Sequence, residues 1–172
     1  MLRQFIEEIT TQLTSAGYTT ESSVKIPGIQ ALLYARSSKP FRLGFAKVED
    51  HFLFLDWGND VFGRLDLLRK AHRDFSKFVN LGFRIPRSLR MHIPNLAVIA
   101  VSNVEFPADV IRFTQTTYLN PWEGGETGQF MLIDLEKKEV TCHNPPGRRQ
   151  TGAFPLSHAV EIIEGICKLT LN

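Results

Sequence analysis

FRLGFAKVEDHFLFLDW, residues Phe41–Trp57, decides the fold. Its second half carries Phe52, Leu53, Phe54, Leu55 and Trp57 almost without interruption. A short, continuous apolar run suits a central strand covered on both faces better than an edge strand with one wet face. The acidic pair Glu49-Asp50 reads as a tight turn, so the stretch is expected to form two strands. The rest of the chain should pack around them in layers.

Upstream, Leu2, Phe5, Ile6, Ile9, Leu13 and Ala16 recur at helical spacing, with Arg3, Glu7, Glu8 and Gln12 on the opposite face. Gly17 suits a left-handed helix end. Tyr18 to Lys25 is polar and rich in Thr and Ser, Pro27-Gly28 marks a turn, and Ile29–Arg36 predicts a first strand. Downstream, Leu65, Leu68, Ala71, Phe75, Phe78 and Val79 form the buried stripe of a helix from about 64 to 81, with Gly82 as its end. Asn95–Ser102, NLAVIAVS, predicts another buried strand. Pro107 opens a helix to Tyr118, which stops before Asn120-Pro121 because a residue preceding proline disfavours helical backbone. Phe130–Leu135 and Glu139–His143 read as strands joined at Glu136-Lys137-Lys138. Ser157 is placed to cap a last helix that buries Ala159, Val160, Ile163, Ile166 and Cys167.

The order of elements predicts one α/β domain over residues 1–172, with a mixed central sheet flanked by helices. A length of 172 residues and a charged fraction of 22% are ordinary for such a domain, and thirteen Phe predict an aromatic-rich core. Cys142 and Cys167 have no metal-binding or disulfide spacing, which points to two free thiols in a reducing compartment. No apolar run reaches the ~20 residues that span a bilayer. The N-terminus carries Glu7 and Glu8 and no signal-peptide pattern. The expectation is a cytoplasmic chain with no membrane partner.

The first part of this order, α-β-β-β-α-β over about residues 2–102, resembles the restriction-endonuclease-like superfamily, and the remainder forms an α-β-β-α extension. The resemblance implies a divalent-metal hydrolase of nucleic acid, with an acid near the second strand and an acid-x-Lys triplet on the third. Here Asp56 is followed by Trp57 and Gly58, so the lysine is missing. Lys47 falls on the preceding strand, with no acid two residues before it. No catalytic residue carries over, which implies an inactive relative or one whose site has migrated.

Charge is distributed unevenly. Between Arg64 and Arg90 eight basic residues face only Asp66 and Asp74, in a chain of net charge +2. Arg69, Arg73 and Lys77 share one helix face at i, i+4, i+8, and Arg84, Arg87 and Arg90 recur every third residue. Together they would form a surface for nucleic acid or another polyanion. The plainer account is a solvated helix face paired with nearby acids. Trp122 and Glu123, in the glycine-rich loop 120–129, are candidates for a protein-partner contact; Trp122 folded back over the sheet is the alternative. The glycines at 124, 125 and 128 precede a strand and no Gly-Lys-Ser/Thr follows, so they make no phosphate loop.

Glu49, Asp50 and His51 read as solvated turn residues rather than metal ligands. Asp56 ends an apolar strand and calls for an ion pair or cap. Cys142 would need a base such as His92 or His158 to act as a nucleophile. No metal or cofactor motif is present. The leading reading is a non-catalytic domain acting through binding. The alternatives are a divergent nuclease-like enzyme and a subunit of a hetero-complex.

Overall fold

The computed structural model describes residues 1–22, 24–37, 41–43, 46–58, 65–81, 92–119, 127–143, 161 and 163–168. In chain order these form α1 (Leu2–Ser15), β1 (Tyr18–Glu21), β2 (Lys25–Ile26), β3 (Ile29–Ser37), β4 (Phe41–Leu43), β5 (Ala46–Asp56), α2 (Leu65–Asn80), β6 (His92–Ser102), α3 (Ala108–Thr116), β7 (Tyr118–Leu119), β8 (Thr127–Asp134) and β9 (Glu139–Cys142). Residues 163–168 are helical. The architecture is α/β, built on one mixed sheet of order β1-β3-β5-β6-β8-β7, with β2 on β3, β4 on β5 and β9 on β8.

β1, β3 and β5 form an antiparallel meander. β6 then returns parallel to β5, and β8 lies parallel to β6. Parallel neighbours need crossover connections, and α2 and α3 supply them on the same face of the sheet. There Leu68, Ala71, Phe75 and Val110 meet Leu53, Leu96, Val98, Ala100 and Leu132. On the other face Phe5, Ile9 and Leu13 of α1, with Ile163, Ile166 and Cys167, cover Phe52, Phe54, Ala97, Ile99 and Met131. The sheet centre is therefore apolar on both sides, as the reading of residues 52–55 and 95–102 required.

The expected turn at Glu49-Asp50 is absent: β5 runs unbroken through it, with Val48 and Asp50 both buried. Instead β4 pairs antiparallel with the start of β5, with Leu43 opposite Ala46. Lys47 consequently stands on the same strand as Asp56. The physical reason is that Asp50 has protein partners and does not need water. The polar segment after Gly17 forms β1 and β2, whose Thr-rich, alternately exposed pattern suits a sheet edge. The three-stranded meander thus exists, but β1, β3 and β5 compose it.

Smaller shifts have local causes. β6 begins at His92, three residues earlier than expected, so Pro94 lies inside it, opposite Glu49 of β5. α3 stops at Thr116 because Thr117 is extended and Tyr118–Leu119 pairs with β8. Gly17 and Gly28 take φ of +88° and +75°, the left-handed backbone that favours glycine at these turns. Gly82, Ser157, Ala159 and Val160 lie outside the described residues. Among the described residues no helix is long and apolar enough to cross a membrane.

Candidate functional site

The chemistry that the sequence reading passed over lies on β5. Alternation along a strand sends Asp50 to the α1 face with Phe52 and Phe54. Register places it opposite Asn95, and the neighbouring strands bring Ser37 and Tyr18 into the same row. The Tyr18 hydroxyl donates to Asp50 Oδ2 at 2.9 Å, and Asn95 Nδ2 donates to Oδ1 at 2.6 Å. The Asp50 backbone N–H donates to Ser37 Oγ at 3.0 Å. Asp50 is 2% exposed and Asn95 1%, so the two bonds to the carboxylate are made out of reach of water. Burial, and then the Asp50 charge, push the Tyr18 phenol well above its ordinary range, so it remains a donor.

Glu49 and His51 point to the other face, toward α2. Tyr34 Oη and His51 Nδ1 are 2.8 Å apart, with the two rings stacked. His51 Nε2 stands 3.8 Å from Glu49 Oε2, and His51 is 5% exposed. Burial pushes the Tyr34 phenol up to about 12, against Arg36, which lowers it. A neutral His51 protonated on Nε2 would take the Tyr34 hydrogen bond at Nδ1 and turn its own N–H toward Glu49. The signal for both groups was present in the sequence: acids inside an apolar run are costly unless paired.

Of the predicted basic surface, Arg69, Arg73 and Lys77 are exposed on α2, opposite its buried stripe of Leu68, Ala71, Phe75 and Val79. Their contacts differ. Lys77 lies 3.6 Å from Asp74 Oδ1, and Lys70 donates to Asp74 Oδ2 at 2.8 Å. The Lys70 hydrogen bond holds Asp74 below the usual carboxylate range. The Arg69 guanidinium lies over the Phe113 ring, 5.0 Å from its centroid. Arg73 has no acid within 4.0 Å among the described residues. Arg64, Arg84, Arg87 and Arg90 lie outside the described residues, as do Trp122 and Glu123. Residues 127–129 of the predicted partner loop belong to β8.

A cleft of about 360 Å³ opens between the start of β3, the end of β5 and α2, lined by Ile29, Leu55, Asp56, Trp57, Leu67 and Lys70 among others. Asp56 Oδ1 accepts the Gly58 N–H at 2.9 Å, the cap that its position at a strand end called for. The Lys70 amine reaches across to the Gly28 carbonyl at 3.5 Å, and a Cβ on Gly28 would stand 2.6 Å from that amine.

Among the described residues no group of three or more His, Cys, Asp or Glu side chains is arranged to hold a metal ion. The Cys142 thiol donates to Glu164 Oε1 at 3.5 Å. Burial pushes the Cys167 thiol up to about 12, the opposite of what a nucleophile needs. His158 and the His92 side chain lie outside the described set. His143 Nδ1 instead donates to the Gln115 carbonyl at 2.8 Å, tying β9 to the end of α3. Comparison with family models, curated proteins and solved structures finds no match to this chain.

Proposed function

We propose that this chain is a binding domain for polyanions and that the outer face of α2 is its contact surface. The observation that carries the reading is the exposed row Arg69, Arg73, Lys77, set about one helical turn apart on the outer side of α2, with Arg69 at its edge over Phe113. Asp74 engages Lys70 and Lys77 and feels the Arg73 charge as well, and among the described residues neither arginine has an acid within 4.0 Å. Such a row holds phosphates by charge and fixes orientation, and it reads no base sequence. A cytoplasmic location accords with the two buried free thiols.

The test is fluorescence anisotropy with heparin and labelled DNA across a salt series. Three phosphate contacts predict a log–log salt slope of about −2 to −3. Reversing Arg69, Arg73 and Lys77 to Glu should abolish binding with the circular dichroism spectrum unchanged. Salt-insensitive binding, or none at low ionic strength, would reject the reading.

A second reading has an observation of its own. The helix, the antiparallel meander, the second helix and the parallel returning strand support the restriction-endonuclease-like resemblance. Asp56 and Lys70 also line one cleft, the lysine arriving from α2 rather than two residues along the strand. This favours a divergent hydrolase of nucleic acid with a displaced lysine. The binding-domain reading expects no DNA cleavage with Mg²⁺ or Mn²⁺. Metal-dependent cleavage that vanishes in Asp56→Ala would establish the second reading instead.

A further inference from the structure

The Arg69–Phe113 contact is not a property of α2 alone. Phe113 comes from α3, and its ring lies 4.9 Å from that of Phe130, which in turn lies 5.6 Å from the His72 ring. Phe130 is buried in the sheet and Phe113 half-buried, so this chain of rings is anchored in the core. Arg69 closes it from outside while remaining exposed. A guanidinium is a planar, weakly hydrated cation, and an aromatic face beneath it restrains its position through the ring quadrupole. The arrangement pairs a supported flat cation with Arg73 and Lys77, one and two turns further along α2. α2 offers this row no aromatic side chain of its own, since Phe75 and Phe78 pack against Tyr34. The fold supplies one from a helix about forty residues away.

We infer that this face of α2 takes single-stranded nucleic acid, with a base laid on the Arg69 guanidinium and the adjoining phosphates held by Arg73 and Lys77. The assignment rests on the polyanion-binding reading and names the polymer class. Every base offers a π-face, and unstacked bases lie on aromatic rings or on arginine planes in single-strand recognition. In a duplex those faces are covered by neighbouring base pairs, and a sulfated polysaccharide has none. Only a single strand can use both halves of the surface.

The experiment compares Arg69→Lys with Arg73→Lys, which preserve charge and differ only in whether a supported plane is lost. Binding of labelled oligo(dT), a duplex of equal length and heparin is measured by anisotropy at several salt concentrations. Arg69→Lys should weaken oligo(dT) binding about 10-fold, the scale of one lost base stack. Its salt slope and heparin affinity should match wild type. Arg73→Lys keeps a point charge but loses the guanidinium fork, so it should weaken oligo(dT), duplex and heparin alike, and oligo(dT) by clearly less than Arg69→Lys does. Phe113→Leu, if folded by circular dichroism, should reproduce Arg69→Lys. If it does not fold, the arginine pair decides the matter alone. Equal effects of the two lysine variants, or a duplex bound as tightly as oligo(dT), would overturn the stacking assignment while leaving polyanion binding in place. Failure of wild type to bind heparin or either DNA at low salt would remove both.

Discussion

Replacing Asp50 by Ala should be among the most damaging single changes on the α1 face of the sheet. The carboxylate accepts from Tyr18 and Asn95 at 2.9 and 2.6 Å, in a row where Asp50 and Asn95 are almost wholly enclosed. Removing it leaves the phenol and the amide as buried donors without that acceptor, each costing roughly 1–3 kcal/mol. The sum is about 4 kcal/mol. In a domain of this size that corresponds to a fall in Tm of about 8–16 °C. Urea unfolding followed by far-ultraviolet circular dichroism measures it directly. Asp50→Asn keeps the shape and one acceptor oxygen and should cost about half as much. In a Tyr18→Phe background the cost of Asp50→Ala should fall by about 1 kcal/mol or more, because one orphaned donor is already gone. A loss below about 1 kcal/mol for Asp50→Ala in the wild-type background would refute the argument, since a solvated turn aspartate behaves that way.

Two further perturbations follow from the same core. Phe54→Ala, at a fully buried position of β5, should cost about 3–5 kcal/mol by denaturant unfolding, and a cost near zero would displace β5 from the centre of the sheet. Tyr34 is pushed up to about 12 and Tyr18 is raised as well, both chiefly by burial. The folded state therefore holds these protons more tightly than the unfolded state, so their contribution is intact below the ordinary phenol value of 10.0 and is lost as pH rises from there through the folded values. Phenolate absorbance should show at most one of the three tyrosines ionising before the protein unfolds, and early ionisation of two in native protein would contradict the burial.

The apolar half of residues 41–57 announced a central strand because both faces of β5 are covered, and continuous hydrophobicity is the signature of that placement. NLAVIAVS and the stripe on α2 were legible for the same reason. The Glu49-Asp50 pair misled because Asp50 is satisfied by Tyr18 and Asn95, which are 32 and 45 residues from it in the chain. Local composition carries no trace of partners that distant. The Thr-rich run after Gly17 was legible only as polar, because a short edge strand such as β1 leaves most of its residues accessible and buries little. At the candidate surface, helical spacing correctly grouped Arg69, Arg73 and Lys77. That Arg69 has an aromatic support is a tertiary fact, set by the packing of α2 beside α3.

β5 and β6 match over ten successive residue pairs, from Lys47 with His92 to Asp56 with Val101. Through the middle of this run nearly every side chain on either face is apolar. A slip of one residue would exchange the two faces and still bury hydrocarbon on each, so greasy patterning alone discriminates weakly between alignments. The Asp50–Asn95 pair breaks the degeneracy. In a slipped alignment the carboxylate would turn toward the α2 layer and lose both Tyr18 and the Asn95 amide, a penalty that no alternative hydrophobic match recovers. These two polar residues thus work as an alignment key: they tell two strands that are greasy on both sides which partner residue to meet.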